Sequence, residues 1–101
     1  MSFVCLVEIH LHFPENGSLK GKRKELVSLK AQLQRRFGAS VSETDHHDRW
    51  QRATLTAALV GGSASVVDDA GAKLGRYIES RFPQGVRVDR GILSAEEILQ
   101  R

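Results

Sequence analysis

The sequence predicts an α+β fold in which two helices cover one face of a four-stranded antiparallel sheet. Three observations carry that expectation: a strictly alternating apolar pattern at the start of the chain, two stretches with helical apolar spacing, and turn-forming clusters between the segments.

From Phe3 to Phe13 the residues Phe3, Cys5, Val7, Ile9, Leu11 and Phe13 fall on one side, with Val4, Leu6, Glu8, His10 and His12 on the other. A period of two marks a strand with one apolar face. Pro14-Glu15-Asn16-Gly17 is a turn cluster and Ser18 a suitable N-cap. Leu19, Leu26, Leu29, Leu33 and Phe37 keep helical spacing, and Gly38 stops that helix. Ala39 to Asp45 is a short strand, His46-His47-Asp48 a hairpin turn, and Trp50 to Val60 a strand with Ala53, Leu55, Ala57 and Leu59 facing the core. Gly61-Gly62-Ser63 breaks it. Ser65 to Phe82 is a second amphipathic helix through Val66, Val67, Ala70, Leu74, Ile78 and Phe82, with Asp68 and Asp69 expected in its first turn. Pro83-Gln84-Gly85 leads to a last strand, Val86 to Leu93, and Ser94-Ala95-Glu96-Glu97 is a capping box opening a short terminal helix.

The order βαββαβ is the ferredoxin-like arrangement, for which right-handed crossovers give the strand order 4-1-3-2. The first and second strands then run the same way. Lys20, Lys22 and Arg23 are therefore expected beside the hairpin and paired with Glu43, Asp45 or Asp48. On the uncovered sheet face, Glu8, His10, His12, Trp50, Arg52, Thr54, Thr56, Arg87 and Asp89 are expected toward one end. Val4, Leu6, Ala58 and Val60 lie toward the other, where the terminal helix or a second subunit should cover them.

The 101 residues are enough for one domain, spanning 1–101, with a single core. A composition of 41% hydrophobic and 27% charged residues excludes a disordered chain. No apolar run approaches the ~20 residues of a membrane span. The start has no basic n-region, and the single cysteine, Cys5, lies on an apolar strand face. A cytoplasmic protein with an inert thiol is the expectation.

The net charge of +3 is unevenly distributed. Lys20, Lys22, Arg23, Lys24, Lys30, Arg35 and Arg36 lie on the first helix against the single acid Glu25. Such a stripe is either a solvated helix face or a footprint for an acidic partner, RNA above all. The hairpin concentrates Glu43, Asp45, His46, His47 and Asp48 with Arg49, Trp50 and Arg52. Trp50 flanked by Arg49 and Arg52 either anchors the hairpin against the first strand or a dimer partner, or suits base stacking and phosphate contact on an open sheet. His46 and His47 beside carboxylates also admit a metal or small-ligand site, although residues adjacent on a turn rarely converge on one ion. Nothing supplies a nucleophile, an oxyanion hole or an enclosing pocket. A non-enzymatic protein without a cofactor is expected.

Ser18-Leu19-Lys20-Gly21-Lys22-Arg23, followed by the stretch from Phe37 to Ala53, resembles the YlxP-like family of small bacterial proteins, a domain of unknown function. The resemblance implies a ferredoxin-like fold and gene company with translation and ribosome-assembly factors, but no activity, cofactor or catalytic residue. The expected partner is RNA or a ribosomal particle. The alternative is a homodimer through the open sheet face, in which the charged block is a salt-bridged rim.

Overall fold

The computed structural model describes residues 1–14, 17–83 and 85–101. The elements are β1 Phe3–His12, α1 Leu19–Phe37, β2 Ser40–Asp45, β3 Arg52–Gly61, α2 Ala64–Arg81, β4 Val86–Ser94 and α3 Ala95–Leu99. Glu15 and Asn16 of the first predicted turn, and Gln84 of the later one, lie outside the described residues.

Alternation in β1 decides the layers. Cys5, Val7 and Ile9 are fully buried, while Leu6 between them is half exposed. β1 pairs antiparallel with both β3 and β4, placing Val7 opposite Ala57 on one side and Arg90 on the other. The sheet order β2-β3-β1-β4 is the predicted 4-1-3-2 read from the other edge. Since β1 and β2 both oppose β3, they run the same way. The entrance to α1 and the hairpin after β2 therefore share one pole. Helices α1 and α2 cover a single sheet face and close a core that includes Leu26, Leu29, Leu33, Leu55, Leu74 and Ile78. At its margin Phe13 meets Phe82 edge to face, with centroids 5.9 Å apart. No helix among the described residues is long and apolar enough to cross a membrane.

The helix ends follow local signals. Ser18 Oγ accepts the Gly21 N–H at 3.0 Å. Gly38, at φ 65°, adopts the left-handed conformation that a glycine takes without strain and donates its N–H to Gln34 O. At α3 the capping box is complete: Ser94 Oγ accepts from the Glu97 N–H, and the Glu97 carboxylate accepts from the Ser94 N–H. That backbone hydrogen bond holds the Glu97 carboxyl below its ordinary range.

Three expectations are corrected. α2 begins at Ala64 with Ser63 as its cap, so Asp68 and Asp69 fall beyond the first turn, and Asp68 instead pairs with Arg90 at 3.2 Å. Val66, assigned to the core face, is exposed because the buried stripe runs through Val67, Gly71, Leu74, Gly75 and Ile78. The terminal helix does not cover the greasy end of the open face. Five residues of α3 extend only about 7.5 Å at 1.5 Å per residue, and none of them is buried. Ile98 reaches the margin of Val4, Leu6 and Leu93, leaving Val60 76% exposed.

Gly71, a poor helix former in isolation, is required by close packing. A Cβ there would lie 2.6 Å from Cys5 Sγ. The same packing pushes the Cys5 thiol above its ordinary pKa through burial, only partly offset by Arg90 and slightly reinforced by Asp68. A Cβ at Gly75 would meet Val88 at an ordinary 3.5 Å. Gly71→Ala is expected to destabilise the protein, since overpacking of about 1–3 kcal/mol exceeds the gain in helix propensity of up to ~1 kcal/mol. Gly75→Ala should be neutral or stabilising. The urea midpoint should fall for Gly71→Ala and hold or rise for Gly75→Ala; a fall in both contradicts this packing.

Candidate nucleic-acid interface

One buried charge organises the pole where α1 and the hairpin meet. Lys22 lies on the inner face of α1, in helical register with Leu26, Leu29 and Leu33, and is only 1% exposed. Its ammonium donates to His46 O at 2.7 Å, Arg49 O at 2.7 Å and Arg52 O at 3.0 Å. Those three acceptors match its three protons, with His47 O peripheral at 3.5 Å. Glu43 Oε2 stands 2.9 Å away but off the line of a hydrogen bond, so it acts as a charge contact. A buried ammonium is tolerated when geometry and partners are this complete, because desolvation is offset by charge-assisted bonds.

The hairpin wraps around this cation. Asp45 Oδ1 accepts the N–H of His46 at 2.7 Å and so caps a turn amide. His46 takes a left-handed backbone at φ 63°, and its carbonyl also accepts the Arg49 N–H. His47 Nε2 lies 3.1 Å from Glu43 O. Glu43 is half buried; Asp45, His47 and Asp48 face solvent, and His46 is partly covered. The rim residues are thus neighbours, as expected, but the predicted pairing is narrower. Among the described residues only Lys22 pairs across from α1, and Lys20 and Arg23 form no ion pair.

Lys22 must also be withdrawn from the predicted nucleic-acid contacts, because its charge is enclosed by hairpin carbonyls and cannot reach a phosphate. The signal was present in the Lys22–Leu26–Leu29–Leu33 spacing, which makes position 22 an inward one. The other cations of α1 remain accessible. Lys20, Arg23, Lys24 and Arg35 are exposed and Lys30 is half-buried. Arg36 is exposed but lies over the Tyr77 ring at 4.7 Å, on the flank that faces α2. Arg49 and Arg52 are exposed beside Trp50, itself 51% exposed, around a shallow hollow that also includes Leu19 at the start of α1. Arg52 borders a second groove on the open sheet face with His10, His12, His46 and Arg87. The α1 stripe and the open sheet face lie on opposite sides of the sheet, and Arg52 borders both hollows at this pole.

The hairpin imidazoles do not gather metal donors. His46 leans toward Asp45 at 3.8 Å, while the ring of His47 points back to Glu43 O. Among the described residues, the one group of three donor side chains is Glu8, His10 and Asp89 on the open face. The alternating pattern placed these residues on one face, but their convergence depends on cross-strand register that the sequence does not state.

Lys22→Met should lower stability by about 3–5 kcal/mol, the cost of leaving Glu43 and three carbonyls without their cation. Hydrogen exchange in residues 43–52 should rise more than in the β1 core. Glu43→Gln should cost less, because the carbonyl bonds survive. Equal losses in the two variants would contradict this assignment.

The fold has known counterparts. A de novo designed protein, Foldit4, superposes with a TM-score of 0.61 at 11% identity, covering 93% of this chain and 98% of the design. A variant of SnoaB, a cofactor-independent oxygenase from Streptomyces nogalater, superposes at 0.50 with 15% identity and 92% coverage of both chains. At such identities these likenesses concern the fold alone. No curated protein matches the sequence. Residues 4–89 match the family model described as "Protein of unknown function (DUF503)", and the chain belongs to that family.

Proposed function

We propose that the protein is a non-enzymatic cytoplasmic binding protein for RNA, free or within a ribosomal particle. The observation that carries this reading is the exposed cationic face of α1. At 3.6 residues per turn, Lys20, Lys24 and Arg35 lie along one outward line with Arg23 and Lys30 on its flank. The first turn holds no acid, so cations there oppose the helix dipole by ~0.3–1 kcal/mol each. Lys22 has a structural reason to be there. Among the described residues Lys20 and Arg23 have no ion-pair partner, and phosphate contact gives them a role. Trp50 with Arg49 and Arg52 adds a stacking platform beside the start of α1. The resemblance to YlxP-like proteins, and the gene company it implies, supports the same partner.

Fluorescence anisotropy with labelled ribosomal RNA fragments at several salt concentrations tests this. Binding should weaken steeply with salt. Lys20→Ala/Lys24→Ala/Arg35→Ala should reduce the logarithmic salt slope by about 2, at ~0.7 per lost contact with a single strand. Trp50→Ala should cost about 1–3 kcal/mol. Absence of binding at low salt overturns the reading.

A second reading rests on the apolar end of the open face, where Leu6, Val60, Leu93 and Ile98 are each 47% exposed or more. A patch of this kind on one sheet face suits a homodimer. Sedimentation equilibrium should show a dimer that Leu6→Glu dissociates; a monomeric wild type removes this reading.

A further inference from the structure

We propose that Glu8, His10 and Asp89 form a binding site for one divalent transition-metal ion of the zinc or manganese class. Glu8 and His10 are two residues apart on β1 and so share its open face, and the β1–β4 register sets Asp89 directly opposite Glu8. The donor atoms of the three side chains all lie within 4.8 Å of one another. His10 Nε2 stands 3.4 Å from Asp89 Oδ2 and 3.9 Å from Glu8 Oε1. Those gaps are close to the spacing of ligands in a tetrahedral site, where bonds of about 2.1 Å separate neighbouring donors by about 3.4 Å.

Two further observations point to a cation. The His10 side chain is 29% exposed, but its Nε2 atom is shut off from solvent and has no hydrogen-bond partner among the described residues, so the nitrogen between the carboxylates is left unsatisfied. Glu8 and Asp89 are like charges directly opposed across a strand pair, an arrangement that destabilises a sheet unless neutralised. A divalent ion satisfies the nitrogen and cancels both carboxylates at once. Thr54 Oγ1 lies 3.4 Å from Nδ1 on the far side of the ring, where an outer partner fixes the orientation of a ligating imidazole. The competing cation is Arg87, whose Nε is 3.5 Å from the same Asp89 oxygen. Its side chain is 71% exposed, so it can turn toward solvent as the ion enters. One imidazole among the donors favours a transition metal over magnesium or calcium. Three protein ligands leave the outward position open to water or another donor.

Isothermal titration of the metal-free, full-length protein with zinc chloride, and separately with manganese chloride, tests the site. One ion per chain is expected for at least one of the two metals. His10→Ala and Asp89→Asn should each weaken binding by more than the roughly tenfold that loss of an outer partner costs. Thr54→Val should weaken it by about tenfold. His46→Ala/His47→Ala should leave it unchanged, and magnesium should not compete. Asp89 is exposed, so Asp89→Asn serves if His10→Ala fails to fold. Absence of saturable binding, binding indifferent to Asp89→Asn, or binding lost only in the hairpin variant overturns the proposal.

Discussion

The ammonium of Lys22 is the constraint on which the working end of this molecule depends. A hairpin usually takes its shape from its own turn residues, which cross strand to strand by local backbone bonds. Here β2 and β3 are joined by a longer crossing whose carbonyls at His46 and Arg49, with that of Arg52 at the start of β3, converge on a charge supplied by another element. The arrangement resembles a cation-binding loop whose ion is covalently part of α1. Because the charge is enclosed, water and salt screen it little, and its influence on the hairpin is larger than that of a surface ion pair.

That division of labour separates the positive charges of α1 into two kinds. Lys22 turns inward and sets the geometry of residues 43–52. Lys20, Arg23, Lys24 and Arg35 turn outward and are available to an acidic partner. The hairpin thereby presents Arg49, Trp50 and Arg52 from a fixed frame, beside the helix that carries the stripe. On the opposite surface, the sheet is polar toward the hairpin and apolar toward Val60. The molecule therefore has three chemically different faces on one small core.

Much of this was legible in the sequence because the signals were local. The alternation of β1, the stop at Gly38, the capping box at Ser94 and the element order together specify the layers and the strand order. The nearness of the α1 entrance to the hairpin also followed, from strand direction alone. What escaped was decided by exact placement. By type Lys22 is one cation of the stripe and one candidate partner for the hairpin acids; only its helical spacing with Leu26 marks the position as inward and buried. The reach of α3 is not written in its composition, since hydrophobic character at Ile98 and Leu99 says nothing about how far five residues extend. The close approach of α2 at Gly71 read only as a weakness in helix propensity.

The contacts of Lys22 bridge 24 to 30 positions of chain. Closing a loop of that length costs entropy that a turn held by its own local bonds does not incur. The native shape of the β2–β3 tip therefore depends on the docking of the leading helix. In the native state, release of that helix entrance would free the tip with it, so the two should open and close as a single cooperative unit.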